Sequence, residues 1–173
     1  MNLKTYLEFL NDESNVKRKV NVTGAVIIKD NEDESQSVLL IQRDEKDHWP
    51  LVWEFPRGKC DKNDSNKLES CLKREVKEET GLKIKIIRYI DKYEYFADEG
   101  ERLSTQYNYL CKLDPPNQKI KLSFEHQDYK WVSSAGEVEL LVPSEMKKTI
   151  SKVLNQDSKI VSCDYSNKEK IEE

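Results

Sequence analysis

Apolar residues fall along this chain in short, spaced runs. Residues 20–29 (VNVTGAVIIK) are rich in β-branched side chains and predict a strand, in which Gly24 allows a bulge or a close backbone approach. An acidic loop over 30–37 leads to a returning strand over 38–43, and residues 44–52 form a second loop. Trp53-Glu54-Phe55 is a strand stub closed by Pro56, and 58–65 is polar and loop-like. Residues 66–80 (NKLESCLKREVKEET) predict a helix, with Ser65 or Asp64 as N-cap and Gly81 as the C-terminal stop. Residues 82–96 alternate apolar and polar positions, as a half-buried strand does. Asp98-Glu99-Gly100 is a turn, 103–113 a returning strand, 114–118 a loop and 129–133 a short strand. A closing helix over 144–154 starts at Ser144 and carries Met146, Ile150, Val153 and Leu154 on one side.

Strands with one helix mid-chain and one near the end imply an α/β class, with a mixed sheet between helices. The chain has 173 residues, which fits one domain. Residues 1–19 read as an arm or short helix, 20–155 as the folded domain and 156–173 as a polar tail.

Charge narrows the reading further. Charged residues make up 36% of the chain, but 29 basic and 33 acidic residues nearly cancel to a net −4. That describes a modest core in a charged coat, and a net acidity that disfavours non-specific nucleic-acid binding. The longest apolar runs have four residues, so no membrane helix and no signal core are present, and a cytoplasmic protein is expected. The cysteines Cys60, Cys71, Cys111 and Cys163 form no C-x-x-C pair; reduced thiols are the expectation, with Cys60 an exposed, non-catalytic one. No two of the five glycines lie within 18 residues of each other, which excludes a P-loop or dinucleotide fingerprint. Any phosphate chemistry here must use side chains and metal.

The mid-chain helix is where such chemistry can sit. With Glu75 at zero on the helical wheel, Glu78 falls at about −60° and Glu79 at about +40°. Three carboxylates share one arc in the last turn and a half, where the helix dipole is also negative. The arrangement costs roughly 1–2 kcal/mol in a bare helix. Arg74, one turn before Glu78, offsets part of this, and a hard divalent cation would offset more. A solvated charged face is the plain alternative.

The flanking residues decide between them. Arg74-Glu75-Val76-Lys77-Glu78-Glu79-Thr80-Gly81-Leu82 resembles the second half of the Nudix box and matches all its specified positions. Trp53-Glu54-Phe55-Pro56-Arg57-Gly58-Lys59 looks like the approach to the box glycine, and Leu39-Leu40-Ile41-Gln42-Arg43 like the strand before it. The resemblance spans roughly residues 20–154 and implies the Nudix α/β/α sandwich. One departure stands out: Gly58 and Arg74 are 16 positions apart where the family has fourteen. Asp64 or Asn66 then stands at the first-glutamate position, with Asp64 the candidate for its role.

The resemblance implies a pyrophosphohydrolase that cleaves a nucleoside diphosphate linked to another group, by water attack on phosphorus. Magnesium, with manganese as a substitute, would be held by Glu75, Glu78, Glu79 and the Arg57 backbone carbonyl. Glu75, Glu78 and Glu125 would be catalytic, with His126 and Asp128 rivals of Glu125 as further ligand or general base. Gly58, Asp64, Arg74 and Gly81 would be structural in the box. Arg43, Arg57 and Lys59 are candidates for substrate phosphate; for Arg43 a plain ion pair is an equal alternative. Trp53 and Trp131 read as core rather than base-stackers, and Tyr93, Tyr95, Tyr107 and Tyr109 as cross-strand packing. The Phe55–Lys59 segment also looks like that of mRNA-decapping and dinucleoside-polyphosphate-hydrolysing members. The short stretch before the first strand and the lack of a basic C-terminal helix favour a nucleotide-type small molecule over an RNA cap. A monomer or homodimer with no membrane partner is expected. The alternative is an inactive Nudix-fold module that binds a nucleotide or a protein, which the altered first glutamate would explain.

Overall fold

A computed structural model describes residues 16–61, 64, 67–134, 137 and 141–160. Of the arm or short helix expected over residues 1–19, residues 1–15 lie outside the described residues, as do Ser65, Asn66 and the tail beyond residue 160.

The strands are β1 (Arg18–Asp30), β2 (Gln36–Arg43), β3 (Trp53–Glu54), β4 (Arg57–Lys59), β5 (Ile84–Ala97), β6 (Arg102–Leu113) and β7 (His126–Val132). The helices are α1 (Leu68–Thr80) and α2 (Ser144–Ile160). The strands form one mixed sheet ordered β3-β2-β1-β6-β5, with β4 also paired to β1 and β7 to β2. β1 runs parallel to β6, from Arg18 opposite Arg102 to Ile28 opposite Lys112. The other pairings are antiparallel.

Period-two alternation along β1 divides the core. Val26 and Ile28 join Val38, Leu40, Trp53 and Phe55 under Met146, Ile150 and Val153 of α2. Ala25 and Ile27 face the other way, with Leu39, Ile41, Leu72 and Val76 under α1. The sheet thus has a helix on each face, the α/β/α sandwich expected from the sequence. Trp53 is core at 6% exposure, and Trp131 packs against the α1-side cluster with the Lys29 ammonium 4.6 Å from its ring.

The edge of β1 is what shapes the site. Its far end pairs with β2 (Ile28 opposite Val38), while its middle pairs with β4 (Gly24 opposite Arg57). The chain crosses between these partners at Phe55-Pro56, where Ala25 N donates to Pro56 O at 2.8 Å. Residues 57–59 are therefore strand, and Gly58 and Lys59 are not the start of the loop expected over 58–65. Polar composition describes exposure; pairing with β1 is a tertiary event.

Other boundaries also move. α1 begins at Leu68 with Lys67 at its N-cap and no side-chain cap bond, so Asp64 does not cap it. Gly81 ends the helix as expected, in the left-handed region (φ 71°), with its N–H on Lys77 O. α2 extends to Ile160, past the 154 limit set by its apolar pattern. The tyrosines do not form one ladder. Tyr93 and Tyr95 oppose Gln106 and Ser104, whereas Tyr109 meets Tyr89 edge-on at 5.8 Å. The expected reduced state of Cys60 and Cys71 is also corrected: they form a disulfide with a Cα–Cα distance of 5.2 Å. The loop after β4 turns back onto the first turn of α1, a fold-back that a spacing of 11 residues does not announce. Cys111 is a buried free thiol, its pKa pushed up to about 12 by burial.

Candidate active site

Two strand-borne residues and one helix end meet beside β4. The C-terminal half of α1 lies over β4, and Gly58 is the contact point. A Cβ on Gly58 would stand 1.9 Å from the Glu75 carboxylate, so only glycine admits Glu75 where it is.

Arg74 organises the outer side. Its Nε and Nη2 donate to the two oxygens of Asp64 at 2.8 and 2.9 Å, a bidentate pair. Its Nη1 donates to Glu75 Oε1 at 2.7 Å and Glu78 Oε2 at 3.1 Å, and its Nη2 also to Lys59 O at 3.0 Å. Asp64, which also accepts from Asp61 N at 2.8 Å, ties the long box loop to the helix. The Arg74 hydrogen bonds hold the Asp64 carboxyl below its usual range. Burial pushes the Glu75 pKa up, against the opposing pull of Arg74. The Glu78 side chain is 58% exposed.

The inner side belongs to Arg57 and Glu54. Glu54 is fully buried, and accepts from Arg57 Nε at 2.6 Å and Arg43 Nη1 at 2.7 Å. Burial alone would raise its pKa; the charges of Arg57 and Arg43 prevail and hold it at about 2. Arg43 also donates to Asp47 at 2.7 Å. Arg57 Nη1 donates to Tyr95 OH at 2.8 Å and Gln106 Oε1 at 3.0 Å. The guanidinium groups of Arg43 and Arg57, both named as phosphate candidates, are thus engaged by protein partners. Lys59 is exposed.

Glu79 connects the two sides. Its Oε2 accepts from the Arg57 backbone N–H at 2.8 Å. Burial, then the nearby Glu54 charge, pushes its pKa well up. The turn before β7 brings in the remaining groups: Glu79, Glu125 and His126 place ligand atoms within 4.8 Å of one another. Ser123 N donates to Glu79 O at 2.9 Å, and Asp44 N to Glu125 O at 2.9 Å, which pins this turn between α1 and β2. His126 is buried, and its Nε2 has no hydrogen-bond partner among the described residues. That nitrogen lies 3.6 Å from Glu54 Oε1 and 3.9 Å from Glu79 Oε1. Asp128 is exposed on β7, its carboxylate accepting from Tyr129 N at 2.8 Å.

The structure therefore brings Glu79 and Glu125 together and adds His126, while Glu75 and Glu78 share Arg74. This donor set suits a divalent cation: it is mostly carboxylate oxygen, with one orphaned imidazole nitrogen beside it. Sequence reasoning missed Glu54, although a glutamate between two aromatic residues and before Pro56 was there to be questioned. It also missed Gln106, which carries no motif, and gave Tyr95 a packing role where the structure shows its hydroxyl accepting from Arg57. A separate cavity of about 380 Å³ lies on the other side of α1, lined by Lys73, Lys85, Arg88, Tyr89 and Tyr109 among others.

The sandwich, the box helix and the carboxylates at its end are features of one class of proteins. The family model described as the NUDIX domain matches residues 19–153, and the chain belongs to the Nudix hydrolase family. It is 32% identical over 102 residues to mouse (Mus musculus) bis(5'-nucleosyl)-tetraphosphatase [asymmetrical], covering 57% of this chain and 67% of that protein. It is 40% identical over 84 residues to mRNA-decapping enzyme subunit 2 of Saccharomyces cerevisiae, covering 49% of this chain but 8% of that much longer protein. Among solved structures, a C. elegans Ap4A hydrolase binary complex superimposes with a TM-score of 0.68 at 24% identity, covering 81% of this chain and 98% of that one. Among the described residues, no helix is long and apolar enough to cross a membrane.

Proposed function

We propose that the protein is a magnesium-dependent pyrophosphohydrolase that cleaves a nucleoside diphosphate linked to another group. The observation that carries this reading is the gathering of Glu79, Glu125 and His126 beside the box carboxylates Glu75 and Glu78. A bound magnesium ion, or manganese in its place, would draw charge from the phosphates and lower the pKa of an attacking water. Glu75, Glu78, Glu79 and the Arg57 carbonyl would hold it.

The chain's own groups do the rest. Glu79 is held by the Arg57 N–H, and Glu75 is held against Gly58 by Arg74. Neither carboxylate then has to be reorganised when substrate arrives. Glu78, held by Arg74 at 3.1 Å yet 58% exposed, is the box carboxylate most open to solvent. Glu125 is the candidate base to accept the proton of the attacking water as the phosphorus–oxygen bond forms. The phosphate oxygen of the leaving group departs opposite the water. Asp64 takes the loop-supporting role of the first box glutamate through Arg74. Lys59, exposed beside the box glycine, is the cation we assign to substrate phosphate, because Arg43 and Arg57 are occupied by Glu54.

A small nucleotide, with a dinucleoside polyphosphate first, is favoured over capped RNA. The likeness to the mouse tetraphosphatase extends over 67% of that protein, whereas the likeness to the yeast decapping subunit covers 8% of it. The test is phosphate release, coupled to a phosphatase, from NTPs, dNTPs, dinucleoside polyphosphates, nucleotide sugars and capped RNA, with and without magnesium. Turnover of one group that requires magnesium, and that falls by orders of magnitude in Glu78→Gln, is expected. No turnover from folded protein that binds nucleotide would replace this reading with a binding module.

A further inference from the structure

Behind the site, on the α2 side of the sheet, runs a row of buried polar side chains. Gln106, Asn108 and Thr149 are each fully buried. Gln106 Oε1 accepts from Arg57 Nη1 at 3.0 Å, and its Nε2 donates to Asn108 Oδ1 at 2.8 Å. Asn108 Nδ2 donates to Asp91 Oδ1 at 2.8 Å. Asp91 also accepts from Thr149 Oγ1 and, at 2.6 Å, from Lys152 Nζ, both on α2. An unbroken chain of hydrogen bonds therefore leads from the surface of α2 through β5 and β6 to Arg57.

A second observation shows that the backbone makes room for it. A Cβ on Gly24 would stand 2.6 Å from Asn108 Oδ1 and 2.8 Å from Gln106 Nε2. Gly24 lies on β1 opposite both Arg57 and Asn108. The close approach allowed for Gly24 thus admits the amide pair, not a ligand. An apolar side chain at 106 would pack as well against the core, so burial alone does not call for an amide there.

We propose that Gln106 is a positioning residue for the reaction: it fixes the Arg57 guanidinium, and through it the residue-57 backbone that orients Glu79. Arg57 is the shared member. Its side chain is held by Glu54, Tyr95 and Gln106, while its own N–H holds Glu79. Asn108 directs the amide of Gln106 so that its oxygen, not its nitrogen, faces Arg57. The role rests on the hydrolase reading above.

The test compares wild type with Gln106→Met and Gln106→Glu. Met has the length of Gln and no hydrogen bonds; Glu keeps an acceptor opposite Arg57. Three quantities are read: the Arg57 Nη–H resonances, manganese affinity in the absence of substrate, and kcat with KM. In wild type a clamped guanidinium gives separate Nη signals. In Gln106→Met they merge, manganese binds several-fold more weakly, and kcat falls roughly tenfold or more with KM changed less than about twofold. Gln106→Glu recovers resolved signals and most of the lost kcat. Resolved signals in Gln106→Met, or merged signals with manganese affinity and kcat unchanged, overturn the proposal. If the methionine variant does not fold, Gln106→Glu is read against wild type alone, and merged signals with unchanged manganese affinity and kcat again overturn the proposal. Should wild type hydrolyse nothing, the hydrolase reading falls, while the resonances and manganese affinity still decide whether Gln106 positions the site.

Discussion

Arg74 and Arg57 both steady the carboxylates at the end of α1, and they are wired in opposite ways. Every partner given above for Arg74 lies within 15 residues along the chain: Lys59, Asp64, Glu75 and Glu78. Arg57 reaches Tyr95 and Gln106, 38 and 49 residues away. One clamp is assembled by a loop and a helix, the other by the register of a sheet. Their surroundings differ too. The Arg74 side chain is 27% exposed and its partners include the 58% exposed Glu78, whereas Arg57 faces a Glu54 carboxylate at 0%. Local wiring tolerates solvent, because water can substitute for a lost partner. The Arg57 clamp sits in the core, where loss of the guanidinium leaves the Glu54 charge short of a partner and the Gln106 amide oxygen unsatisfied.

The sharpest test of that difference is Arg57→Met. It strands Glu54 with Arg43 alone, and the expected loss is about 3–5 kcal/mol in urea unfolding. Next is the Cys60–Cys71 bond, which ties the Asp64 loop to α1. Opening it with a dithiol reductant is expected to cost about 3 kcal/mol by loop entropy, read as a lower melting temperature that the Cys60→Ser protein reproduces without reductant. Arg74→Met should cost less, about 1–3 kcal/mol, because Glu78 is already exposed and loss of a guanidinium that is itself 27% exposed opens a path for water to the buried Asp64. If Arg74→Met proves as costly as Arg57→Met, the contrast between exposed and buried clamps fails.

Smaller still in stability is Gly58→Ala. Gly58 is not among the positive-φ glycines, and the obstructing atoms are the end of the Glu75 side chain, which can swing away. Stability should change by less than about 1 kcal/mol. The displaced Glu75 should nonetheless depress magnesium-dependent turnover strongly, which an assay beside a melting curve would reveal. The last prediction concerns acid. Arg74 depresses the folded-state pKa of Asp64 below its unfolded value. The stability it contributes is therefore present above the ordinary aspartate range and lost as pH falls through the depressed pKa. Asp64→Asn should flatten the fall in melting temperature below about pH 4; an unchanged acid limb would remove Asp64 from the clamp.

Legibility in the sequence follows the same division. The Arg74 side could be read because α-helical geometry turns spacing directly into proximity: Glu75, Glu78 and Glu79 share an arc once the helix is granted. Asp64 could be nominated from loop length, and the bidentate bond to Arg74 gives it a partner. The main strands were legible as well, β1 from its β-branched run and residues 82–96 from their alternation; β1 and β2 are buried on both faces and so show continuous apolar runs. What could not be read was how strands choose neighbours. Gly58 and Lys59 of β4 looked like the start of a polar loop; their pairing with β1 depends on the crossing at Phe55-Pro56. Gln106 and Asn108 looked like ordinary polar positions on a strand. Only the parallel register of β6 against β1, and Gly24 between them, turns them inward toward Arg57.

The sequence by itself determined the family, the box helix and the carboxylates it presents, since these depend on contacts a few residues apart. The tertiary structure alone decided that Arg57 and Arg43 serve Glu54, that Cys60 meets Cys71, and that Glu125 and His126 arrive beside Glu79. These are contacts between segments whose spacing in the chain carries no geometric information. They form because burying two apolar sheet faces leaves one register in which the buried charges and amides are also paired.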